Sequence, residues 1–162
     1  IEYVVRAWAG SWVFRRAVFE DIGVLQDDFF FSCEDVDLGW RAQLAGWRCL
    51  YTPHAIVYHH LSASGGGVTA SYYTGRNSIY LLIKNYPAEL WHKYGTAVLR
   101  AQARLALEAL RAWRGAAARA RLRGMVAGIL DIPSMWRKRR AIQRARRVTP
   151  DYIESILWPI SR

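Results

Sequence analysis

The sequence predicts an α/β domain followed by amphipathic helices, and three observations carry that expectation. Apolar runs of strand length alternate with helix-length segments through the first half of the 162 residues. The second half has a helical period with arginines gathered on one side. Charge divides the same way, since residues 1–90 hold seven Lys/Arg against nine Asp/Glu and residues 91–162 hold sixteen against four. With 52% hydrophobic residues, eight Trp and nine Tyr, the chain can bury a substantial core, which excludes a disordered chain. The boundary falls at 88/89, giving a chemically distinctive part over 1–88 and a basic helical extension over 89–162 that should be drawn to polyanions.

From Tyr3 to Phe14 the residues are mostly apolar, a buried strand interrupted at Gly10 and Ser11. Arg15 to Ile22 reads as helical turns closed by Gly23. Leu25 to Phe31 carries an acidic turn at Asp27 and Asp28. Ser32 precedes Asp35 by three, an S-x-x-D capping pattern, and Gly46 supplies a stop, so a helix is expected over Glu34 to Ala45. Val36, Trp40 and Leu44 share one of its faces, and Asp37 lies four residues before Arg41. Trp47 to Tyr51 reads as a strand, and Ala55 to His60 as a second one in which Val57 and His59 share a face. Ser62 to Gly67 is a flexible loop.

Tyr72 to Lys84 forms a helix carrying Arg76 and Asn77, and Pro87 marks its boundary. Beyond it Arg100, Arg104, Arg111, Arg114 and Arg121 fall within about 100° of a helical wheel. Val98, Leu105, Ala109 and Trp113 lie opposite. A second basic helix, with WRKRRAIQRARR from Trp136, follows Pro133, and Pro150 introduces a last short one over Asp151 to Leu157. There is no internal repeat.

Cys33 and Cys49 are too few for a disulfide framework, and their spacing fits no zinc motif. No stretch reaches the roughly 18 consecutive apolar residues of a spanning helix, and no signal peptide is visible. Because the chain begins at Ile1 and enters an apolar run at once, it is expected to be a piece of a longer protein.

The chemically unusual feature is the crowding of Glu34, Asp35 and Asp37 at the mouth of a helix, straight after an aromatic run. Such a cluster takes a proton, faces a cation, or only caps the helix and offsets its dipole. Asp37 and Arg41 read as a helix pair worth roughly a few tenths of a kcal/mol. Asp35-Val36-Asp37 spells D-x-D, but adjacent positions on a helix aim those carboxylates apart. His59 on a strand face is either a packed histidine or a ligand. The arginine stripe, backed by apolar residues, suits a helix lying in an anionic membrane surface. Nucleic acid is the lesser partner, since no recognisable nucleic-acid-binding motif accompanies the charge.

The stretch GSWVFRRAVFEDIGVLQDDFFFSCEDVDLGWRAQLAGWRCLYTPHAIVYHHLSAS resembles the carboxyl half of the catalytic domain in inverting family 2 glycosyltransferases, especially rhamnosyl- and galactofuranosyltransferase-like members. The resemblance rests on F-R-R-x-x-F-E-x-I-G, the aromatic run before Glu34-Asp35, the D-L-x-x-R ending at Arg41, and V-Y-H-H-x-S-x-S. It implies the carboxyl-terminal portion of a GT-A type, Rossmann-like domain followed by amphipathic helices. It makes Asp35 the general base with Glu34 beside it. His59 would join upstream aspartates in holding a divalent metal, Mg2+ or Mn2+, and Trp12 would lie on the acceptor side. Asp37, Arg41 and Arg76 complete the substrate-side candidates, Arg76 as counter-charge to a leaving diphosphate. The implied partners are a nucleotide-sugar donor, a glycan or lipid-linked acceptor, and an anionic membrane surface. The implied location is cytoplasmic, peripheral on the inner face of a bacterial membrane. The donor-binding half and its D-x-D are expected upstream of Tyr3, so this chain alone is expected to be inactive. The alternative is a basic membrane- or nucleic-acid-binding module whose acidic cluster is structural.

Overall fold

The structure is a computed structural model, and it describes residues 2–4, 12–58 and 66–157. In chain order it contains β1 (Glu2–Val4), α1 (Arg16–Ile22), α2 (Glu34–Leu44), β2 (Cys49–Tyr51), α3 (Gly67–Asn85), α4 (Ala88–Arg111), α5 (Ala116–Leu130), α6 (Ile132–Arg144) and α7 (Pro150–Leu157). β1 and β2 pair antiparallel with Tyr3 opposite Leu50. The helices do most of the packing. α2 rests on α1 and α3, and α3 in turn is covered by α5 and α6, with α4 lying against α5 and α7.

α1 stops where expected, because Gly23 takes φ 75, a conformation that costs glycine little, and its N–H bonds the Phe19 carbonyl. α2 also runs almost as predicted and ends before Gly46 at φ 90. Its amino terminus differs. Ser32 does not cap it. Cys33 occupies the cap position in the left-handed region, with no side-chain capping bond, and the Ser32 hydroxyl pairs instead with that of Thr74 on α3 at 3.2 Å. Tertiary structure here has taken the group that local capping would use.

The segments on either side of residue 88 share one core. Leu44 of α2, Tyr86, Leu90 of α4 and Ile153 of α7 form a buried cluster, edged by Trp40 and Trp91, whose rings meet that of Tyr86 at 5.9 and 5.5 Å. Some of the basic residues are structural as well. Buried Arg139 donates from Nη1 to the carbonyls of Ile83 and Tyr86 at 2.9 and 2.6 Å, and Gln143 donates to that of Asn85 at 2.9 Å. Together they satisfy the carbonyls that the end of α3 leaves open. The helices beyond 88 are thus packed against the rest rather than extended away from it.

α3 and α5 touch backbone to backbone. A Cβ placed on Gly124 would lie 2.0 Å from the Tyr72 carbonyl oxygen, one on Gly75 2.5 Å from that of Arg121, and one on Gly128 2.9 Å from that of Arg76. Only glycine permits so close an approach.

Further expectations fail, and Trp12–Phe14 is irregular, with Val13 exposed, rather than the end of a buried strand. Ala55–Tyr58 is exposed and irregular rather than a strand, having no ladder partner among the described residues, while His59 and His60 lie outside them. The long basic helix is broken, because Gly115 adopts an extended ψ of 136 and a new helix starts at Ala116. Arg100, Arg104 and Arg111 therefore stay on α4, Arg114 falls in the turn and Arg121 belongs to α5. The predicted apolar face is used internally, since Ala109 is buried and Val98 packs on the core cluster, although Trp113 stays exposed.

Gly124→Ala should cost about 1–3 kcal/mol or more by forcing α3 and α5 apart, whereas Gly66→Ala, with open space around it, should change a urea midpoint little. A second expectation concerns pH. The Arg146 guanidinium bonds both oxygens of Glu89 at 2.9 and 2.6 Å and holds its carboxyl down at about 2. A carboxyl depressed on folding contributes stability above its unfolded value, here 4.5, and loses it as pH falls toward the folded one. Glu89→Gln should flatten the fall in stability over that window in an acid titration followed by circular dichroism.

Candidate active site

The acidic cluster is delivered by a loop that α3 grips from behind. After a 3-10 turn at Asp27–Phe29, the chain puts three non-glycine residues, Phe30, Ser32 and Cys33, at φ 45, 67 and 69. Left-handed backbone at non-glycine positions is costly and persists only where surroundings impose it. The restraint comes chiefly from Asn77, whose fully buried side-chain amide donates to the carbonyls of Phe29, Phe31 and Ser32 at 2.8, 2.9 and 2.7 Å. Arg76 adds a bond to the Asp28 carbonyl and lies over the rings of Tyr73 and Tyr80 at 4.8 and 4.9 Å. Phe29 anchors the loop, buried against Tyr80 and Met135.

The loop ends at the amino terminus of α2, where the three carboxylates separate. Asp35 is buried, and its Oδ1 accepts the Val36 N–H at 2.8 Å. Among the described residues Glu34 Oε2 is enclosed without a hydrogen-bond partner. Asp37 points the other way and has no solvent exposure at all. It accepts from Arg41 Nε at 2.8 Å, Lys84 Nζ at 2.7 Å and Asn85 Nδ2 at 2.8 Å. Arg41 also donates from Nη1 and Nη2 to the carbonyls of Ile22 and Val24. Asp37 and Arg41 are thus interior struts, and the D-x-D spelling does not converge on one point. Burial pushes the Lys84 ammonium below its usual range, opposed by the Asp37 carboxylate and assisted by the Arg41 charge.

Beside α2 lies a cavity of about 430 Å³, walled in part by Trp12, Phe14, Gly39, Ala42, Trp47 and Arg48. Gly39 and Ala42, which line it, follow Asp35 at four and seven residues, so Asp35, itself outside the lining, stands one turn up the same side of the helix. Trp12 meets Phe14 edge-on at 4.9 Å, and Trp47 is steadied by its indole N–H bond to Asp21 at 2.8 Å. Aromatic walls of this kind suit the apolar faces of a sugar ring. The structure therefore places Trp12 on the same side of α2 as Asp35, and sets Asp37, Arg41 and Arg76 behind it. His59 lies outside the described residues. Among the described residues no three His, Cys, Asp or Glu side chains gather as a metal site, so they do not by themselves form one for the expected Mg2+ or Mn2+.

Asn77 and Lys84, which the sequence shows only as polar residues of a predicted helix, organise the loop and the helix. Their visible signal is the helical spacing of polar residues, Thr74, Asn77, Lys84 and Asn85, on a helix otherwise rich in apolar ones.

The chain is 36% identical over 78 residues to the N-acetylglucosaminyl-diphospho-decaprenol L-rhamnosyltransferase of Mycobacterium tuberculosis, in both strain CDC 1551 / Oshkosh and strain ATCC 25618 / H37Rv. That match covers 48% of this chain and 25% of the relative. The match relates the chain to a glycosyltransferase. It spans about a quarter of the length of these curated relatives. An uncharacterized protein, y4gI of Sinorhizobium fredii, is 36% identical over 59 residues, covering 36% of this chain and 6% of that protein. No family model and no solved structure matches the chain.

The charge balance of the interior orders two variants. Asp37→Leu would leave two buried cations facing each other and should cost about 3–5 kcal/mol. Lys84→Met leaves the Asp37–Arg41 pair neutral and should cost less. Chemical denaturation of both variants checks the order, and a larger loss for Lys84→Met would overturn this account of the interior.

Proposed function

We propose that the protein is part of an inverting family 2 glycosyltransferase in which Asp35 is the general base. The observation that carries this reading is the position of Asp35, buried at the start of α2, held there by a strained loop and heading the side of the helix that lines an aromatic-walled cavity. The glycosyltransferase relationship supports sugar transfer in general. In the proposed reaction an acceptor hydroxyl attacks the anomeric carbon of a nucleotide-activated sugar. The new glycosidic C–O bond forms as the bond to the nucleoside diphosphate breaks, with inversion at that carbon. The leaving group departs with the bonding electron pair, and the Asp35 carboxylate takes the hydroxyl proton.

The remaining roles follow from placement. Trp12 and Trp47 offer stacking surfaces to the acceptor sugar. Glu34 stands beside the base at the amino end of α2. Asp37, Arg41, Asn77 and Lys84 act by fixing the orientation of α2 and its loop, not by touching substrate. The relative's name describes transfer of L-rhamnose to a lipid-linked diphosphate acceptor, and we extend that acceptor class and a nucleotide-sugar donor to this protein. A GT-A type domain, completed by segments outside this chain, and a station on the inner face of a bacterial membrane belong to the same proposal. The divalent cation of that class would find its ligands outside the described residues.

Asp35→Asn keeps the size and the Val36 hydrogen bond but cannot accept the proton. In the intact polypeptide it should lower turnover by about 10²–10⁴-fold with an unchanged circular dichroism spectrum. Turnover within tenfold of the parent would remove the base assignment and leave the acidic cluster a structural feature.

A further inference from the structure

The face of α4 turned away from the protein is not the one that a helical wheel selects. Its covered side includes Gly95, Val98 and Ala109. On the outer side Leu99, Ala103, Leu107 and Leu110 form a row at helical spacing. Leu99 is 61% exposed, Leu107 45% and Leu110 53%, and Trp113, in the turn beyond, is 58% exposed. The row is about 17 Å long at the α-helical rise. Arg100, Arg104 and Arg111 run directly beside it, all exposed, and Arg114 extends them into the turn. Arg100 bonds the Thr96 carbonyl and Arg104 pairs with Glu108, both at the surface. The outward side of α5 repeats the combination, with Val126, Ile129 and Leu130 exposed in the turns that follow exposed Arg119 and Arg123.

We propose that this outer face of α4, with Trp113, is a docking surface for an anionic lipid bilayer. Leucines in water beside arginines are poorly solvated, and an apolar row of this length marks a contact surface. Charge chooses the occupant. A second copy would set Arg100, Arg104 and Arg111 of one chain against the same arginines of the other, at a repulsive cost. Nucleic acid would engage the arginines and leave the leucines in water. An anionic bilayer accepts both groups, the leucines and indole entering the headgroup–acyl boundary while the guanidiniums meet lipid phosphates. The surface rests on the membrane station proposed above and gives it a place on the protein, but it is independent of Asp35, so its failure would leave the proposed reaction standing.

The test is vesicle flotation of the protein with phosphatidylcholine alone and with phosphatidylcholine containing phosphatidylglycerol. The parent should float with the anionic vesicles, remain largely free of the neutral ones, and be released by added salt. Arg104→Ala with Arg111→Ala should weaken binding about tenfold or more. Leu107→Asp with Leu110→Asp should abolish it, and Arg16→Ala on α1 should leave it unchanged. All these positions are exposed, so folding should be preserved. Undiminished binding by the double aspartate variant, or equal binding of the parent to neutral vesicles, would overturn the proposal. So would a dimer in light scattering that Leu107→Asp dissolves, or binding to DNA that survives loss of the leucines and displaces the vesicles.

Discussion

The structure depends on one carboxylate with no access to water. Asp37 joins α2 to the end of α1 through Arg41, and to α3 through Lys84 and Asn85. Buried ions tolerate little displacement, because an unmatched charge in a low-dielectric interior costs several kcal/mol, of order 3–5. Rotation of α2 about its axis is therefore resisted from its first turn. The same Lys84 ammonium lies over the Phe29 ring at 4.8 Å, so the network also reaches the loop that precedes the helix.

That constraint separates two acids only two positions apart in sequence. A helix turns about 200° between them, which sends Asp37 into the protein and Asp35 toward the cavity side. The interior acid has its charge answered on three sides. The other stands at the helix entry, after three residues in unfavourable backbone conformations that Asn77 holds in place. Strain and its restraint sit immediately before the group assigned to the chemistry, a common placement where a side chain must be aimed.

Much of the helical layout was legible in the sequence. Gly23, Gly46, Pro87, Pro133 and Pro150 mark helix ends through backbone chemistry that depends little on the rest of the fold, and each lies at or beside an element boundary. What could not be read is what tertiary contacts decide. Ser32 had the right spacing to cap α2, but Thr74 lies 42 residues away and took its hydroxyl. Lys84 and Arg139 look like surface cations because most are, and only the folded chain shows them buried against Asp37 and the end of α3. On α4 the wheel correctly grouped the arginines, but it carries no information on exposed leucines until the packed side is known. The break at Gly115 was missed because one glycine in a helical pattern is often tolerated. In the candidate site, Asp35 and Glu34 came from local pattern and resemblance, whereas Asn77, which shapes the loop before them, came from neither.

The bare contact between α3 and α5 makes length less negotiable than chemistry in this part of the chain. One residue inserted between Gly124 and Gly128 would swing the second glycine about 100° away from α3 and bring a side chain to where Arg76 now presents its carbonyl. Relatives that keep this pairing should therefore differ by substitution along the two helices. Extra residues would instead accumulate in the exposed turn between α4 and α5, which can lengthen without disturbing the register.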